Sequence, residues 1–216
     1  MRFQGAIFDL DGTLVDSLPS ITAAVNHGLT QLSLPTHTLS AVSRMVGEGV
    51  RTLCERALAG TRPELLEDLL RHVWSYYESH LLDRTKPYPG IDALIRDLAG
   101  TGARLGVLSN KPDVLTCRTI AGLSWSPWFK AVRGQLDGVP KKPDPAGAFW
   151  VLGGLGLEPA HTLYVGDTAI DMKTAKAAGM PSVAVTWGFR TREELEREQP
   201  TWIVDHPAEI LGILRD

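Results

Sequence analysis

Cysteine is scarce in this sequence, which has only Cys54 and Cys117 among its 216 residues. The two residues form no C-x-x-C pair and no spacing typical of a metal site, so a zinc ribbon or a thioredoxin-like redox motif is excluded. Two reduced thiols in a reducing compartment are the simplest expectation, with a single disulfide as the alternative.

The chain is long enough for one hydrophobic core of ordinary size and a smaller second module.

Long apolar runs and an excess of positive charge are also lacking. No apolar run approaches the ~20 residues of a membrane span, and Asp9 and Asp11 interrupt the first apolar stretch, so no signal-peptide pattern is present. Lysine and arginine together number 22 against 25 acidic residues, which gives a net charge of −3. We therefore expect a cytoplasmic protein without a nucleic-acid or membrane partner. An anionic substrate would need local cations, backbone N–H groups or a metal ion.

The first third of the chain has helical periodicity with almost no strand-like runs, over residues 18–82. Breaks near Pro35, 47–49 and 60–63 divide this region into about four helices. We interpret it as an inserted helical subdomain. The two prolines within 86–90 make that segment its stiff exit linker.

The remainder of the chain alternates short apolar strands with helices. The predicted strands cover 6–8, 104–108, 129–133, 162–165, 182–186 and 202–204. The predicted helices cover 91–98, 114–121, 149–155, 170–178 and 207–214. Repeated β-α units of this length predict an α/β fold, a doubly wound parallel sheet with right-handed crossovers. The predicted domains are an α/β core formed by 1–15 and 88–216 and a helical domain formed by 16–87.

Two acidic residues follow the first predicted strand. Asp9 and Asp11 come directly after the buried run 6–8, at the carboxyl end where open α/β sheets place their ligands. Side chains alternate along an extended chain, so the two carboxylates point the same way while Leu10 points to the core. Gly12 then ends the run with a turn. The alternative, that this Asp-Gly is only a turn, is about as frequent for an isolated D-x-D-G.

The pair of carboxylates suits phosphoryl transfer. Like charges repel and burial penalises both, and a divalent cation relieves this. Mg²⁺ favours oxygen ligands and keeps waters that a phosphate replaces, and an aspartate can itself attack phosphorus to form an aspartyl-phosphate. A calcium loop is excluded, because Leu14 and Ser20 stand where that loop needs glycine and glutamate.

Three later strand or helix ends carry further candidate residues. Ser109 and Asn110 follow one strand and offer donors for phosphate oxygens, although such a pair is more often a turn or a helix cap. Asp167 follows another strand, and Asp171 lies in the first turn of the next helix, where it is able to hold a lysine. Lys142 stands before a proline at a predicted helix entrance. Alone it is typical of a solvated surface lysine.

Taken in order, these motifs resemble those of the haloacid dehalogenase-like (HAD) phosphohydrolase superfamily over essentially the whole chain. Residues 8–14 are similar to its first motif, Ser109-Asn110 to its second and Lys142 to its third. Gly166-Asp167 with Asp171 is similar to its fourth. Lys141 is the nearest competitor for the lysine role, and the Lys-Pro pair favours Lys142. The resemblance implies a Rossmannoid α/β core with a helical cap.

The resemblance also implies a role for each residue. Asp9 would be the nucleophile and a Mg²⁺ ligand, and Asp11 the acid and base, with its backbone carbonyl on the metal. Asp167 would complete the metal ligands, and Asp171 would orient Lys142, which is counted as catalytic. The implied phosphate-binding residues are Asp11, Gly12, Thr13, Ser109, Asn110 and Lys142. Dehalogenating members lack an aspartate at the position of Asp11, so its presence favours phosphoryl transfer.

The helical insert resembles the cap of subclass I of this superfamily, which excludes water and supplies residues that recognise the substrate. Within that subclass, 46–53, 109–112 and 185–189 resemble phosphoglycolate phosphatases. Gly49 and Arg51 are therefore candidate specificity residues, and Arg51 is placed to pair with a substrate carboxylate. A solvated helix arginine is the competing interpretation of Arg51. The Trp187-Gly188 pair is equally typical of a strand end packed on the core.

We therefore predict a Mg²⁺-dependent phosphatase that acts on a small phosphorylated metabolite, foremost 2-phosphoglycolate. A β-phosphoglucomutase-like mutase and a pyrophosphatase or sugar-phosphate phosphatase of the same fold are alternatives. A mutase needs an acid/base arrangement in the cap, and His27 and His37 are more simply surface residues. A non-catalytic phosphate-binding protein is a remote alternative, since neither Asp9 nor Asp11 is lost. The protein is expected to be a monomer or a homodimer.

Overall fold

The computed structural model describes residues 3–215, and a parallel sheet lies at its centre. Within these residues the strands are β1 (Gly5–Phe8), β2 (Val15–Asp16), β3 (Lys86–Pro87), β4 (Arg104–Pro112), β5 (Phe129–Gln135), β6 (Thr162–Gly166), β7 (Ser182–Val185) and β8 (Trp202–Val204). Six of them form one sheet in the order β5-β4-β1-β6-β7-β8, and every neighbouring pair is parallel. The predicted doubly wound α/β fold is confirmed.

The helices flank the sheet or precede it in the chain. Within the same residues they are α1 (Leu18–Gln31), α2 (Leu39–Met45), α3 (Val50–Ala57), α4 (Leu66–Ser79), α5 (Ile91–Gly100), α6 (Asp113–Gly122), α7 (Ala146–Leu155), α8 (Ala169–Ala177), α9 (Arg192–Glu196) and α10 (Pro207–Arg215). Short 3-10 helices cover Pro63–Leu65 and Pro159–His161. No helix in this part of the chain is both long and apolar enough to cross a membrane.

Alternation along β1 explains how the sheet is covered on both faces. Phe8 packs in one cluster with side chains of α5 and α10, whereas Ile7 packs in another with α7 and α8. All four residues of β1 are buried, as expected for the central strand of a parallel sheet. The register aligns Phe8 with Val107 of β4 and with Val165 of β6. The residues that come directly after Phe8, Val107 and Val165 therefore meet at one edge of the sheet.

Helices α1 to α4 lie between β2 and β3 and have a core of their own. Ile21, Val25 and Leu29 on α1 are buried against Leu69 and Val73 on α4, the faces that their periodicity predicts. Strands β2 and β3 pair antiparallel where the chain enters and leaves the insert. The domain boundaries given above remain a prediction.

Several element limits differ from the sequence predictions. Strand β4 runs on through Ser109 and Asn110 to Pro112, with a register shift against β5 after Leu108. The predicted linker contributes Lys86–Pro87 as a strand. Helix α9 was not predicted, since five residues are too short for a periodic pattern, although Thr191 and Glu194 form its capping box.

Both cysteines are free thiols. Cys54 is buried in α3, and this burial raises the pKa of its thiol to about 12, while Cys117 is exposed on α6. The prediction of two reduced thiols is the one that the structure supports, rather than a disulfide.

Candidate active site

Asp9 begins the site, directly after β1. Its backbone N–H donates to the carbonyl of Val165 at 2.9 Å, and its Oδ1 accepts the N–H of Leu10 at 2.7 Å. Nζ of Lys142 lies 3.0 Å from the same Oδ1. Within residues 3–215 no hydrogen bond is donated to Oδ2, so one carboxylate oxygen is left for chemistry. Burial raises the pKa of Asp9 to about 7, against the opposing effect of Lys142.

Lys142 is buried and held between two carboxylates. Its Nζ lies 2.7 Å from Oδ1 of Asp171 as well as 3.0 Å from Asp9, and it donates to the carbonyl of Leu108 at 3.2 Å. Burial disfavours the charge of Lys142, but Asp171 and Asp9 outweigh it and raise its pKa. Lys141 instead reaches the carbonyl of Glu48 at 2.7 Å and lies on the surface. The structure thus brings Lys142, and not Lys141, to Asp9.

Asp171 is fixed by the start of α8. The backbone N–H and the hydroxyl of Thr168 donate to its Oδ2 at 3.0 and 2.7 Å, and its Oδ1 is left for Lys142. A Cβ on Gly166 would lie 2.3 Å from Cβ of Asp171. Glycine at the end of β6 is therefore required by the close approach of this carboxylate.

Asp167 is fully buried beside these groups. The hydroxyl of Thr13 donates to its Oδ1 at 2.9 Å, and the N–H of Phe189 donates to its Oδ2 at 2.8 Å. Burial, reinforced by Asp171 and then by Asp9, raises the pKa of its carboxyl to about 8. The carboxylates of Asp9, Asp167 and Asp171 thus crowd one another, and Lys142 pairs with two of them, Asp9 and Asp171.

This acidic cluster fits a divalent cation. Asp9, Asp167 and Asp171 each offer a carboxylate oxygen, and these three oxygens lie within 4.8 Å of one another. All three residues are buried, so their repulsion is poorly screened, and hard oxygen donors suit Mg²⁺. Both oxygens of Asp171 accept hydrogen bonds, from Lys142 and Thr168, whereas Asp9 keeps its Oδ2 for a metal. Asp167 stays the predicted second ligand.

Asp11 lies apart from the acidic cluster. Its carboxylate oxygens accept hydrogen bonds from Nζ of Lys111 at 3.0 and 3.2 Å, and the same Nζ donates to the hydroxyl of Tyr77 at 2.6 Å. Its side chain is partly exposed to the cavity above Asp9. The carboxylate of Asp11 thus lines the cavity but has to leave Lys111 before it reaches a leaving group. The metal contact expected of its backbone carbonyl stays a prediction.

The residues predicted to bind phosphate are engaged in other contacts to different degrees. Thr13 donates its hydroxyl to Asp167, and the N–H of Gly12 donates to the carbonyl of Val15 at 2.9 Å. The amide of Asn110 donates to the carbonyls of Gly47 and Lys142 at 3.0 and 3.1 Å. The amide of Asn110 therefore links the insert, at Gly47, to the backbone of Lys142. Ser109 lines the cavity, and the one hydrogen bond of its hydroxyl within residues 3–215 is accepted from the backbone N–H of Lys111 at 3.3 Å.

The two candidate cap residues are placed differently. Gly49, at the start of α3, lines the cavity, and its φ of +88° is a conformation that favours glycine. Arg51 does not line it. Its guanidinium pairs with Glu67 at 2.9 Å and its side chain is 55% exposed. The arginine lies instead along an adjoining open cleft that Lys141 also lines.

The cavity between the insert and the sheet edge is partly open and has a volume of about 70 Å³ for water-sized molecules. Since one water needs about 10–15 Å³ by the same measure, it holds on the order of five waters. Its wall is mainly apolar, from α1, α3 and α4, with the polar groups gathered at the sheet edge. The chemistry-bearing residues along it are Asp9, Asp11, Tyr77, Ser109, Asn110 and Lys111.

Lys111, Tyr77 and Arg190 are residues at the site to which the sequence analysis assigned no role. Lys111 stood within the phosphoglycolate phosphatase-like stretch 109–112, which was the available signal. Tyr77 offered none, because an aromatic residue on an amphipathic helix is normally core. In the loop after β7, Arg190 donates to the carbonyls of Ser43 and Val46, both at 2.8 Å, and so ties the insert to the core.

Comparison with known proteins agrees with this geometry. The family model for haloacid dehalogenase-like hydrolases matches residues 6–185. A phosphoglycolate phosphatase from Pectobacterium atrosepticum is 35% identical over 215 residues, which cover 98% of this chain and 92% of that protein. One from Pseudomonas putida is 36% identical over 206 residues, which cover 92% of this chain and 75% of that protein.

Solved structures show the same architecture. The crystal structure of a predicted phosphoglycolate phosphatase from Haemophilus somnus has a TM-score of 0.92 at 29% identity, and the match covers 99% of this chain and 98% of that one. A crystal structure of a protein from Lactobacillus delbrueckii subsp. bulgaricus has a TM-score of 0.93, also at 29% identity, and the match covers 99% of each chain. The similarity therefore includes the helical insert as well as the sheet.

Proposed function

The chain belongs to the haloacid dehalogenase-like hydrolase family and is a phosphatase, and we propose that it hydrolyses 2-phosphoglycolate to glycolate and phosphate through an aspartyl-phosphate on Asp9. The observation that carries this proposal is the free Oδ2 of a buried Asp9 whose other oxygen touches Lys142. Relatives named as phosphoglycolate phosphatases, similar along nearly the whole chain, support the choice of substrate.

The first chemical step uses Asp9 as the nucleophile. A carboxylate oxygen of Asp9 bonds to phosphorus, and the bond from phosphorus to the ester oxygen breaks. Asp11 gives a proton to the departing oxygen, so glycolate leaves as the alcohol. Lys142 offsets the negative charge that grows on the phosphoryl oxygens and on Asp9.

The second step returns the enzyme to its starting state. Asp11, now ionised, takes a proton from a water molecule, whose oxygen attacks the phosphorus of the aspartyl-phosphate. The bond between phosphorus and Asp9 breaks, and inorganic phosphate is released. The helical insert encloses the cavity and limits competing water while the phosphoryl group is transferred.

The proposed cofactor is Mg²⁺, held by Asp9 and Asp167 with the backbone carbonyl of Asp11. When bound, it supplies positive charge that offsets the carboxylates and the phosphoryl oxygens. The oxygen-only donor set and the close packing of buried carboxylates support this assignment. Thr13 and Phe189 orient Asp167 through the two hydrogen bonds that its oxygens accept.

The residues that line the cavity bear on the mutase alternative. The lining contains no histidine among the described residues, and His27 stacks on Tyr76 while His37 bonds to the carbonyl of Ala57. The mutase alternative therefore has no cap histidine at the site to rely on.

A substrate panel tests the proposal. We would rank 2-phosphoglycolate, sugar phosphates, nucleotides and pyrophosphate by kcat/KM with Mg²⁺ present. We expect 2-phosphoglycolate to rank first. Preference for another ester would overturn the substrate, and conversion of β-glucose 1-phosphate to the 6-phosphate without release of phosphate would identify a mutase.

A further inference from the structure

Lys111 is a buried cation whose charge the catalytic steps above do not use. Its side chain is 3% exposed, at the end of β4, and lines the cavity above Asp9. Burying an ammonium group is costly unless it is paired and hydrogen-bonded. Here Asp11 supplies the negative charge and the hydroxyl of Tyr77 accepts a further hydrogen bond.

Tyr77, on α4 of the insert, is the hydrogen-bond partner of Lys111. Its oxygen accepts from Lys111, and its ring also lies beneath that ammonium group, 4.7 Å from Nζ to the ring centre. Burial raises the pKa of Tyr77 to about 12, so its hydroxyl keeps its proton. Among the described residues no group accepts a hydrogen bond from the Tyr77 hydroxyl. Tyr77 therefore has a free O–H donor beside the ammonium group of Lys111.

We propose that Lys111 and Tyr77 form a subsite that binds the carboxylate of the substrate, with Asp11 as its occupant in the free enzyme. This inference rests on the proposed function, because it assigns the recognition of the acid group of the same ester. During catalysis Asp11 must leave Lys111, take up a proton from solvent and turn to the ester oxygen. A substrate carboxylate then takes its place against Lys111 and keeps the buried ammonium group paired.

The neighbouring cations are poorer candidates for this role. Lys142 is already shared by Asp9 and Asp171. Arg51 lines the adjoining cleft rather than this cavity, and its guanidinium is paired with Glu67 at an exposed position. Lys111 is the cation that lines this cavity within the described residues.

A pair of matched esters tests the subsite. We would measure kcat/KM for 2-phosphoglycolate and for 2-hydroxyethyl phosphate, which replaces the carboxylate by a neutral hydroxymethyl group, and take their ratio. The variants are Lys111→Met and Tyr77→Phe, with Lys130→Met, a surface lysine on β5, as the control. A ratio is informative even where a variant loses turnover, because a general defect affects both esters equally.

We expect Lys111→Met to lower the ratio by about 10- to 150-fold, as for loss of one charged hydrogen bond. Tyr77→Phe, which keeps the ring and so the packing, should lower it by a few-fold, and Lys130→Met should leave it unchanged. Equal losses for both esters in Lys111→Met and Tyr77→Phe would overturn the subsite. Loss of the preference in Arg51→Gln, with Lys111→Met unchanged, would overturn it in favour of the arginine.

The proposed function fails in a different way. If the wild-type enzyme hydrolyses other esters but not 2-phosphoglycolate, the substrate assignment is wrong and the carboxylate subsite falls with it. If the wild-type enzyme prefers 2-phosphoglycolate and Lys111→Met keeps that preference, the subsite alone is wrong. Circular dichroism and thermal unfolding of each variant establish that it is folded.

Discussion

Gly188→Ala should weaken metal binding although it replaces none of the candidate metal ligands. Gly188 lies in the loop after β7, between Asp167 and Gly12. A Cβ at this position would lie 2.3 Å from Cβ of Asp167 and 2.5 Å from its Oδ2. It would also lie 2.5 Å from the carbonyl oxygen of Gly12. Both neighbours are tightly packed, so the loop has to move away.

The size of the effect follows from the contacts that the loop makes. Moving it breaks the hydrogen bond from the N–H of Phe189 to Asp167, now 2.8 Å long. It also strains the bond from Nε1 of Trp187 to the carbonyl of Thr13, now 3.0 Å long. A hydrogen bond to a charged group contributes about 1.5–3 kcal/mol. If the carboxylate of Asp167 is no longer held in place by this hydrogen bond, the affinity of the site for Mg²⁺ falls by about 10- to 150-fold.

The assay is a Mg²⁺ titration of the initial rate, together with the shift of the melting temperature that saturating Mg²⁺ produces. Gly212→Ala on α10 is the matched control, since a Cβ there meets nothing within 4 Å. We expect Gly188→Ala to need more Mg²⁺ for half-maximal rate and to recover part of the activity at high Mg²⁺. The reasoning is refuted if its half-saturation point and its melting temperature both equal those of the wild type.

Three further perturbations test the metal and the packing. EDTA should abolish the activity and excess Mg²⁺ should restore it, whereas full activity in chelator would refute the metal requirement. In metal-free protein the raised pKa values of Asp9 and Asp167, about 7 and about 8, mean that the folded state holds protons that the unfolded chain releases near pH 4. The melting temperature should therefore fall from pH 5 to pH 8, less steeply in Asp167→Asn; a rise would contradict this. Leu69 is fully buried in the core of the insert, so Leu69→Ala should lower the free energy of unfolding, measured with urea, by about 2–5 kcal/mol. Leu39→Ala, at an exposed position, should lower it far less. Equal losses of stability in the two variants would refute a core within the insert.

The fold was largely predictable from the sequence because its signals are local. The buried run before Asp9 and the alternation of apolar strands with amphipathic helices both lie within single segments. The turns that divide the insert are marked by glycine and proline, and helices α1 to α4 begin and end close to them. Helix α9 lacked such a signal, because five residues do not show a period.

The site was predictable where strand ends determine it and less so where distant segments meet. The register of β1 with β4 and β6 follows from the parallel sheet, so Asp9 and Asp167 meet as expected. The pairing of Lys111 with Asp11 spans 100 positions of sequence and depends on how the insert seats Tyr77 over the core. The local pattern therefore offered Arg51 as a candidate carboxylate-binding cation, with a solvated helix arginine as the alternative, and gave no sign of Lys111 in that role.

Asn110 illustrates the same limit. Its position at a strand end predicted a phosphate donor, but its amide is shared between the cap loop at Gly47 and the backbone of Lys142. Both partners are remote in sequence. Only the folded chain brings them within hydrogen-bonding distance.

Chemical trapping tests the identity of the nucleophile most directly. Enzyme quenched during turnover of 2-phosphoglycolate is treated with borohydride, which reduces an aspartyl-phosphate to homoserine, and peptide mass spectrometry locates the altered residue. We predict substrate-dependent conversion at Asp9 and none in Asp9→Asn, which should also be inactive. Sustained turnover with residue 9 unaltered, or conversion at a different aspartate, would contradict the account.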